Sequence, residues 1–184
     1  MSDRNEKAAD SRVKLLVSEV EIDAAVRRIA DEIDLYAEEI FKGSDGKKLF
    51  LLGILKGSVV FLGDLIKRIK SPIEVDFMKV SPSGADAGLD IILGLTEEDI
   101  TGRDIVIIED IIDSGRTVSR LADYLKKCGA KSVMTCTLLD KPALRVVEFT
   151  PEFVGFEIPD EYVVGYGLDF EGQYRGLPFI GVLS

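Results

Sequence analysis

The chain has 184 residues, 46% of them hydrophobic and 30% charged, which fits one globular domain and excludes a disordered, collagenous or membrane chain. Lys and Arg number 23 against 33 Asp and Glu, a net charge of -10, so a broad electrostatic footprint for nucleic acid or anionic lipid is excluded while a local basic pocket is not. There is no His, so catalysis must rest on carboxylates, Lys, hydroxyls or a carboxylate-bound hard cation such as Mg2+. Cys128 and Cys136 form no C-x-x-C pair and read as reduced, structural thiols. Residues 1–12 are polar and read as a flexible leader before a single domain at 13–184. With no apolar h-region and no run of about 20 apolar residues, a cytoplasmic protein is expected.

In chain order, Ser18 and Glu21 form a capping-box pattern, in which hydroxyl and carboxylate satisfy each other's orphan backbone donors. Ile22, Val26, Ile29, Ile33, Tyr36 and Ile40 follow at spacings of four and three and predict a docking helix ending near Gly43. Residues 49–55 read as a buried strand, 56–58 as a turn and 59–69 as a helix stopped by Pro72. A strand at 75–80, a small polar loop at 81–88 and a strand at 89–95 predict a hairpin with a long, mobile tip. Residues 105–108 read as a buried strand, 117–127 as an amphipathic helix capped by Gly129, and 132–139 as another strand. Strands alternating with helices predict an α/β fold, a doubly wound, mostly parallel sheet flanked by helices. After Lys141 the helices stop, and short aromatic strands at 153–158 and 163–170 predict a small C-terminal/N-terminal hood over the sheet edge, formed mainly by about 141–184.

Ligands of open α/β sheets bind beyond the carboxyl ends of the strands. There the sequence places two adjacent carboxylates, Glu109 and Asp110, then Asp113, then Ser114, Gly115, Arg116 and Thr117 opening a helix. Outward amides at a helix N-terminus favour a phosphate, and carboxylates beside it can accept hydrogen bonds from sugar hydroxyls, so the pattern suits a phosphorylated sugar. Read singly, Glu109 and Asp110 could merely end a strand and Asp113 cap a helix.

The string from Ile105 to Thr117 resembles the phosphoribosyl pyrophosphate signature of the type I phosphoribosyltransferases. The resemblance implies that Glu109 and Asp110 hold the ribose hydroxyls and that Asp113, Ser114, Gly115, Arg116 and Thr117 wrap the 5-phosphate. Leu55-Lys56-Gly57 is similar to the family's pyrophosphate loop, in which the peptide before the Lys is typically cis; Lys56 could equally snorkel at a strand end. No Walker A string is present. The stretches around Lys141, 151–160, 163–170 and Tyr174-Arg175 resemble the hood of the hypoxanthine-guanine branch, covering roughly residues 18–183 in all. By that resemblance Lys141 donates to the purine O6, Tyr162 stacks on the ring, the Val163 backbone reads the other edge, Asp169 ligates Mg2+ with Glu109 and Asp110 nearby, and Arg175 contacts pyrophosphate. From the residues alone, Tyr162 and Val163 would be ordinary hood core. One departure stands out: the mobile loop of the family usually begins Ser-Tyr, and here Ser81 precedes Pro82.

The implied activity is Mg2+-dependent transfer of 5-phosphoribosyl from phosphoribosyl pyrophosphate to N9 of hypoxanthine or guanine, giving IMP or GMP and pyrophosphate. Asp113 would act as general acid/base at N7 and Lys141 would steady the base. A homodimer or homotetramer is implied, with neither nucleic acid nor membrane as partner. Rival readings are a ligand-sensing regulator on the same fold, a phosphoacceptor receiver domain, and a phosphoribosyltransferase for another base such as xanthine; the receiver reading leaves Ser114 to Thr117 unexplained.

Overall fold

The computed structural model describes residues 11–43, 47–82, 89–93 and 95–184. It opens with a strand that the sequence reading did not expect, β1 (Val13–Val17). Helix α1 (Glu19–Ile40) follows with the expected reciprocal capping box between Ser18 and Glu21. It ends at Phe41, two residues before Gly43, whose φ is 74°. Next come β2 (Leu49–Ile54), α2 (Ser58–Leu65), β3 (Ile73–Pro82) and β4 (Leu89–Leu93). The last two pair antiparallel from Lys79 to Pro82, as the hairpin reading expected, while the tip at 83–88 lies outside the described residues. A short helix α3 (Glu97–Ile100), β5 (Asp104–Ile112), α4 (Arg116–Lys127) and β6 (Ser132–Asp140) continue the alternation. The chain finishes with β7 (Phe153–Glu157), β8 (Val163–Val164) and β9 (Ile180–Leu183).

The main sheet has the order β4-β3-β2-β5-β6-β7, with every neighbouring pair parallel except β3 and β4. This is the expected doubly wound, mostly parallel sheet. Side chains alternate between its faces. Leu49, Leu51, Val106 and Ile108 pack with α1 and α2, whereas Phe50, Leu52, Ile105 and Ile107 pack with α4. All six residues of β2 are buried, and each fully buried Leu or Ile contributes about 1.5–3 kcal/mol.

One feature differs from the expected hood. The stretch at 153–157 is the edge strand of the main sheet, parallel to β6, although the connection between them carries only a 3-10 turn at Pro142–Leu144. The hood is a three-stranded sheet, β1-β9-β8, that joins a strand near the start of the chain to two from its C-terminal part, as the expected C-terminal/N-terminal hood requires. Of the expected leader, residues 1–10 lie outside the described residues. Arg12 is held: its guanidinium donates to the Tyr174 hydroxyl at 2.8 Å, and its carbonyl accepts from the Ser184 amide at 2.9 Å.

Helix α2 also stops four residues earlier than expected, and the strand predicted at 163–170 is regular only at Val163–Val164. Gly165, Tyr166 and Gly167 follow with φ of 100°, 49° and 103°, a left-handed run that no strand can contain. Among the described residues, no helix is long and apolar enough to cross a membrane. Cys136 is buried, which pushes its thiol pKa up, and neither cysteine is in a disulfide.

Candidate active site

The chain leaves β2 for β3 on one side and leaves β5 for β6 on the other, so the strand order reverses between β2 and β5. A crevice opens beyond the carboxyl ends of strands at such a reversal, and the predicted residues converge there. From β2 come Lys56 and Gly57, with the Leu55–Lys56 peptide cis. From β5 come Glu109 and Asp110, which lie within the strand rather than beyond it, since β5 runs on to Ile112. The turn after β2 and the acidic pair on β5 are in van der Waals contact, Gly57 having no space for a side chain against the Asp110 carboxylate.

Glu109 is buried, 8% exposed. Burial, then the adjacent Asp110 charge, pushes its pKa well up. Asp110 is raised too, by burial, against the opposing effects of the Ile111 amide at 3.0 Å and the Arg175 charge. Two carboxylates side by side in a dry site strongly favour partners that bring hydrogen-bond donors or positive charge.

Beyond Ile112 the chain turns through Asp113 and Ser114 to Gly115, whose φ of 77° sets the entry to α4. Gly115 is the N-cap and has no side chain to cap the helix; the Arg116 amide alone is met, weakly, by Ser114 Oγ at 3.4 Å, so Asp113 is not the cap it could have been. The uncapped amides line a cavity of about 260 Å3 with Glu109, Asp110, Asp113, Ser114 and Thr117. An open helix N-terminus facing a cavity is a ready anion site.

Lys141, at the end of β6, is 7% exposed. Its amide donates to the Ile112 carbonyl at 2.9 Å, and its Nζ lies 3.5 Å from Asp113 and 3.8 Å from Asp160. Tyr162, just before β8, is 55% exposed. The Tyr162 ring is held edge-on to Phe170 at 5.6 Å, and its hydroxyl reaches the Asp169 carbonyl at 3.4 Å. Val163 is buried and pairs with Val182 in the hood sheet. Asp169 binds Arg175 at 2.5 Å and the Gly172 amide at 2.8 Å. Arg175 in turn donates to the Gly167 carbonyl at 2.5 Å.

The expected metal ligands do not form one cage. Among the described residues, no group of three or more carboxylates or other ligating side chains could hold an ion unaided. Glu109 and Asp110 stand together on β5, while Asp169 sits on the hood hairpin with Arg175.

Sequence reasoning missed Arg145. Its guanidinium contacts the Asp140 carboxylate and the Asp113 carbonyl, and donates to the carbonyls of Ile112 and Phe149, each at 3.2 Å. It thereby staples the turn carrying Asp113 to the end of β6. The available signal was Asp140, an acid closing an apolar strand, which requires a cationic partner when buried.

A sheet reversal that brings an open helix N-terminus, a buried acidic pair and a hood hairpin carrying the Asp169–Arg175 pair into one crevice suits a phosphorylated sugar on a doubly wound fold. Residues 22–171 match the family described as phosphoribosyl transferase domain, and the chain belongs to that family. It is 45% identical over 172 residues to the hypoxanthine phosphoribosyltransferase of Salmonella typhimurium, covering 92% of this chain and 94% of that one. A crystal structure of a hypoxanthine-guanine phosphoribosyltransferase from Bacillus anthracis is similar, with a TM-score of 0.82 at 38% identity over 93% of this chain and 97% of that one. The chain also matches the bifunctional protein TilS/HprT of Listeria monocytogenes, 43% identical over 98% of this chain but spanning only 27% of that longer protein. Within its family the chain falls in the hypoxanthine phosphoribosyltransferase branch, a purine salvage enzyme.

Proposed function

We propose that the crevice transfers 5-phosphoribosyl from its pyrophosphate to N9 of a 6-oxopurine, hypoxanthine or guanine, releasing pyrophosphate. The observation that carries this reading is the pairing of Lys141 with Asp113 at 3.5 Å, directly beside the uncapped N-terminus of α4. Ser114, Gly115, Arg116 and Thr117 receive the 5-phosphate, and Glu109 and Asp110 accept hydrogen bonds from the ribose hydroxyls.

As the bond from C1′ to pyrophosphate breaks, positive charge grows on the ribose, and the acidic pair is placed to stabilise it. N9 then bonds to C1′. Lys141 donates to O6, which an amino group could not accept, so oxopurines are preferred over adenine. It also steadies the negative charge that builds on the base as the N7 proton passes to Asp113 and the N9 lone pair bonds to C1′. Asp113 serves as the general acid/base at N7. Tyr162 offers the ring a stacking face, and the Val163 backbone reads its far edge. Lys56, Gly57 and Arg175 hold the pyrophosphate.

The donor set fits Mg2+. This ion is usually held by one or two carboxylates plus substrate oxygens, so separated carboxylates suit it better than a closed cage would. Asp169 would hold it from the hood side, with Glu109 and Asp110 linked through the ribose hydroxyls. When bound it supplies charge neutralisation to the leaving pyrophosphate.

The phosphorylated substrates are membrane-impermeant, which supports action in the cytoplasm. The exposed side chains of Val59, Val60 and Val75 support assembly as a homodimer or homotetramer.

The test is an ultraviolet assay with phosphoribosyl pyrophosphate and Mg2+, offering hypoxanthine, guanine, xanthine and adenine in turn. Turnover of oxopurines and not adenine is expected, and Lys141→Ala should erode that preference. An unchanged base profile in the variant would place base selection elsewhere, and no turnover with any base would overturn the transferase reading.

A further inference from the structure

The left-handed run at 165–167 has a consequence for the crevice. Gly165 and Leu168 bond each other's backbones at 3.1 and 3.0 Å, so the chain reverses within four residues. This reversal turns the Tyr166 side chain away from the hood and onto α2. The residue is 6% exposed, and its hydroxyl donates to Asp64 Oδ2 at 2.7 Å, across 102 positions of sequence. A tyrosine at positive φ is uncommon and persists only where the surroundings over-determine it. Here both neighbours are glycines that admit no side chain. A Cβ on Gly165 would lie 2.1 Å from the Phe179 carbonyl oxygen, and one on Gly167 would lie 2.2 Å from the Gly57 carbonyl oxygen.

Asp64 lies on the same helix that begins directly after Lys56 and Gly57, so the bond joins two elements that meet again at the crevice. Gly167 rests on Gly57, and its amide and carbonyl are both bonded to Arg175, at 3.0 and 2.5 Å. The Arg175 guanidinium then reaches Asp169. A cavity of about 580 Å3 lies behind this hairpin, bordered by Tyr166, Asp64, Arg68 and Arg175. Tyr166 and Leu168 root the hairpin in the core, and on the side that borders the cavity the Gly167 contact and the phenol bond join it to the Gly57 turn and to α2.

We infer that Tyr166 is a positioning residue for the phosphoribosyl donor: its bond to Asp64 sets the distance between the Asp169–Arg175 pair and the Lys56–Gly57 turn. This rests on the assignment of Arg175 and Lys56 to pyrophosphate. Burial, then the Asp64 carboxylate, keeps the phenol protonated far above neutral pH, so the tether is intact throughout the working range. Of the proposed purine face, Lys141 stands at the end of β6 and Val163 in the hood sheet, away from this bond, and Tyr162 meets the hairpin only at Phe170 and through a long 3.4 Å contact with the Asp169 carbonyl.

The experiment is steady-state kinetics of the full chain, varying donor at saturating hypoxanthine and the reverse, beside thermal unfolding of each variant. Tyr166→Phe should raise the donor KM about fivefold to tenfold, the loss of one well-made hydrogen bond. The kcat and the hypoxanthine KM should stay within about twofold. Asp64→Asn keeps an acceptor oxygen for the phenol and should restore near-parental donor KM, whereas Asp64→Ala should match Tyr166→Phe and serves if that variant folds poorly. An unchanged donor KM in Tyr166→Phe and Asp64→Ala, or parallel changes in all three kinetic constants, overturns the inference. Arg175→Ala separates the two levels. If it too leaves donor KM unchanged, the pyrophosphate assignment itself is wrong; if it alone raises donor KM, only the tether is.

Discussion

The α-carbon of Gly57 faces the Asp110 carboxylate so closely that a methyl group built there would lie 1.5 Å from Oδ2. The Asp110 carboxylate thus keeps this position only while residue 57 lacks a side chain. Gly57→Ala should displace one or both turns and lower kcat/KM by about 10²-fold, as a displacement near 1 Å can. Circular dichroism should show the secondary structure unchanged. Near-parental activity would mean that the two turns are not held by this contact.

Asp113 sits 3.5 Å from the Lys141 ammonium with its side chain 53% exposed, accessible to a base yet paired. Asp113→Ala should lower kcat by about 10²-fold or more, within the usual range for general acid/base catalysis. Donor affinity, read by calorimetry, should change much less. Equal losses in turnover and donor binding would reassign Asp113 to binding alone.

Arg145 and Asp140 are both largely buried, at 13% and 7% side-chain exposure. Removing one partner leaves an uncompensated charge in the interior. Arg145→Met should destabilise the fold by about 3 kcal/mol in urea unfolding. Adding Asp140→Asn should recover much of that loss, because the stranded charge is then gone. Activity should not recover with it, since the Asp113 carbonyl remains unstapled.

Glu109 titrates higher in the folded chain than in the unfolded one, because burial and Asp110 oppose its charge. Between the two values the folded state binds more protons, so stability falls as pH rises above the ordinary Glu pKa of about 4.3. Glu109→Gln should therefore raise the Tm of the substrate-free protein at pH 7–8. The gain should shrink as pH drops toward 4, where both forms are neutral. A gain that is independent of pH would trace to packing rather than ionisation.

What could be read from sequence was what local chemistry decides. The Ser18–Glu21 box closes within one turn, and four apolar residues ending in Glu109-Asp110 need no partner to announce a buried strand and its rim. What escaped depended on distant partners. Val13–Val17 is short, carries Lys14, and becomes a strand only by pairing with Val182 and its neighbours. Residues 153–157 lack the crossover helix that marks a parallel strand, so sheet membership was invisible. Arg145 bonds mainly to carbonyls and leaves no side-chain pattern beyond Asp140. The left-handed run at Gly165-Tyr-Gly167 was visible as two glycines, but the need for both emerges only when Phe179 and Gly57 press against them.

The pairing of β1 with β9 also imposes an order of events during synthesis. The main sheet is complete once Glu157 is available, so a nascent chain can close the phosphate side of the crevice while its C-terminal residues are still being made. The hood sheet cannot form until Ile180–Leu183 emerges to bridge β1 and β8. Ribosome-held chains should therefore protect the β5–α4 turn from proteolysis before they protect Val13–Val17. The hood sheet is thus assembled after the main sheet, from segments about 170 residues apart in sequence.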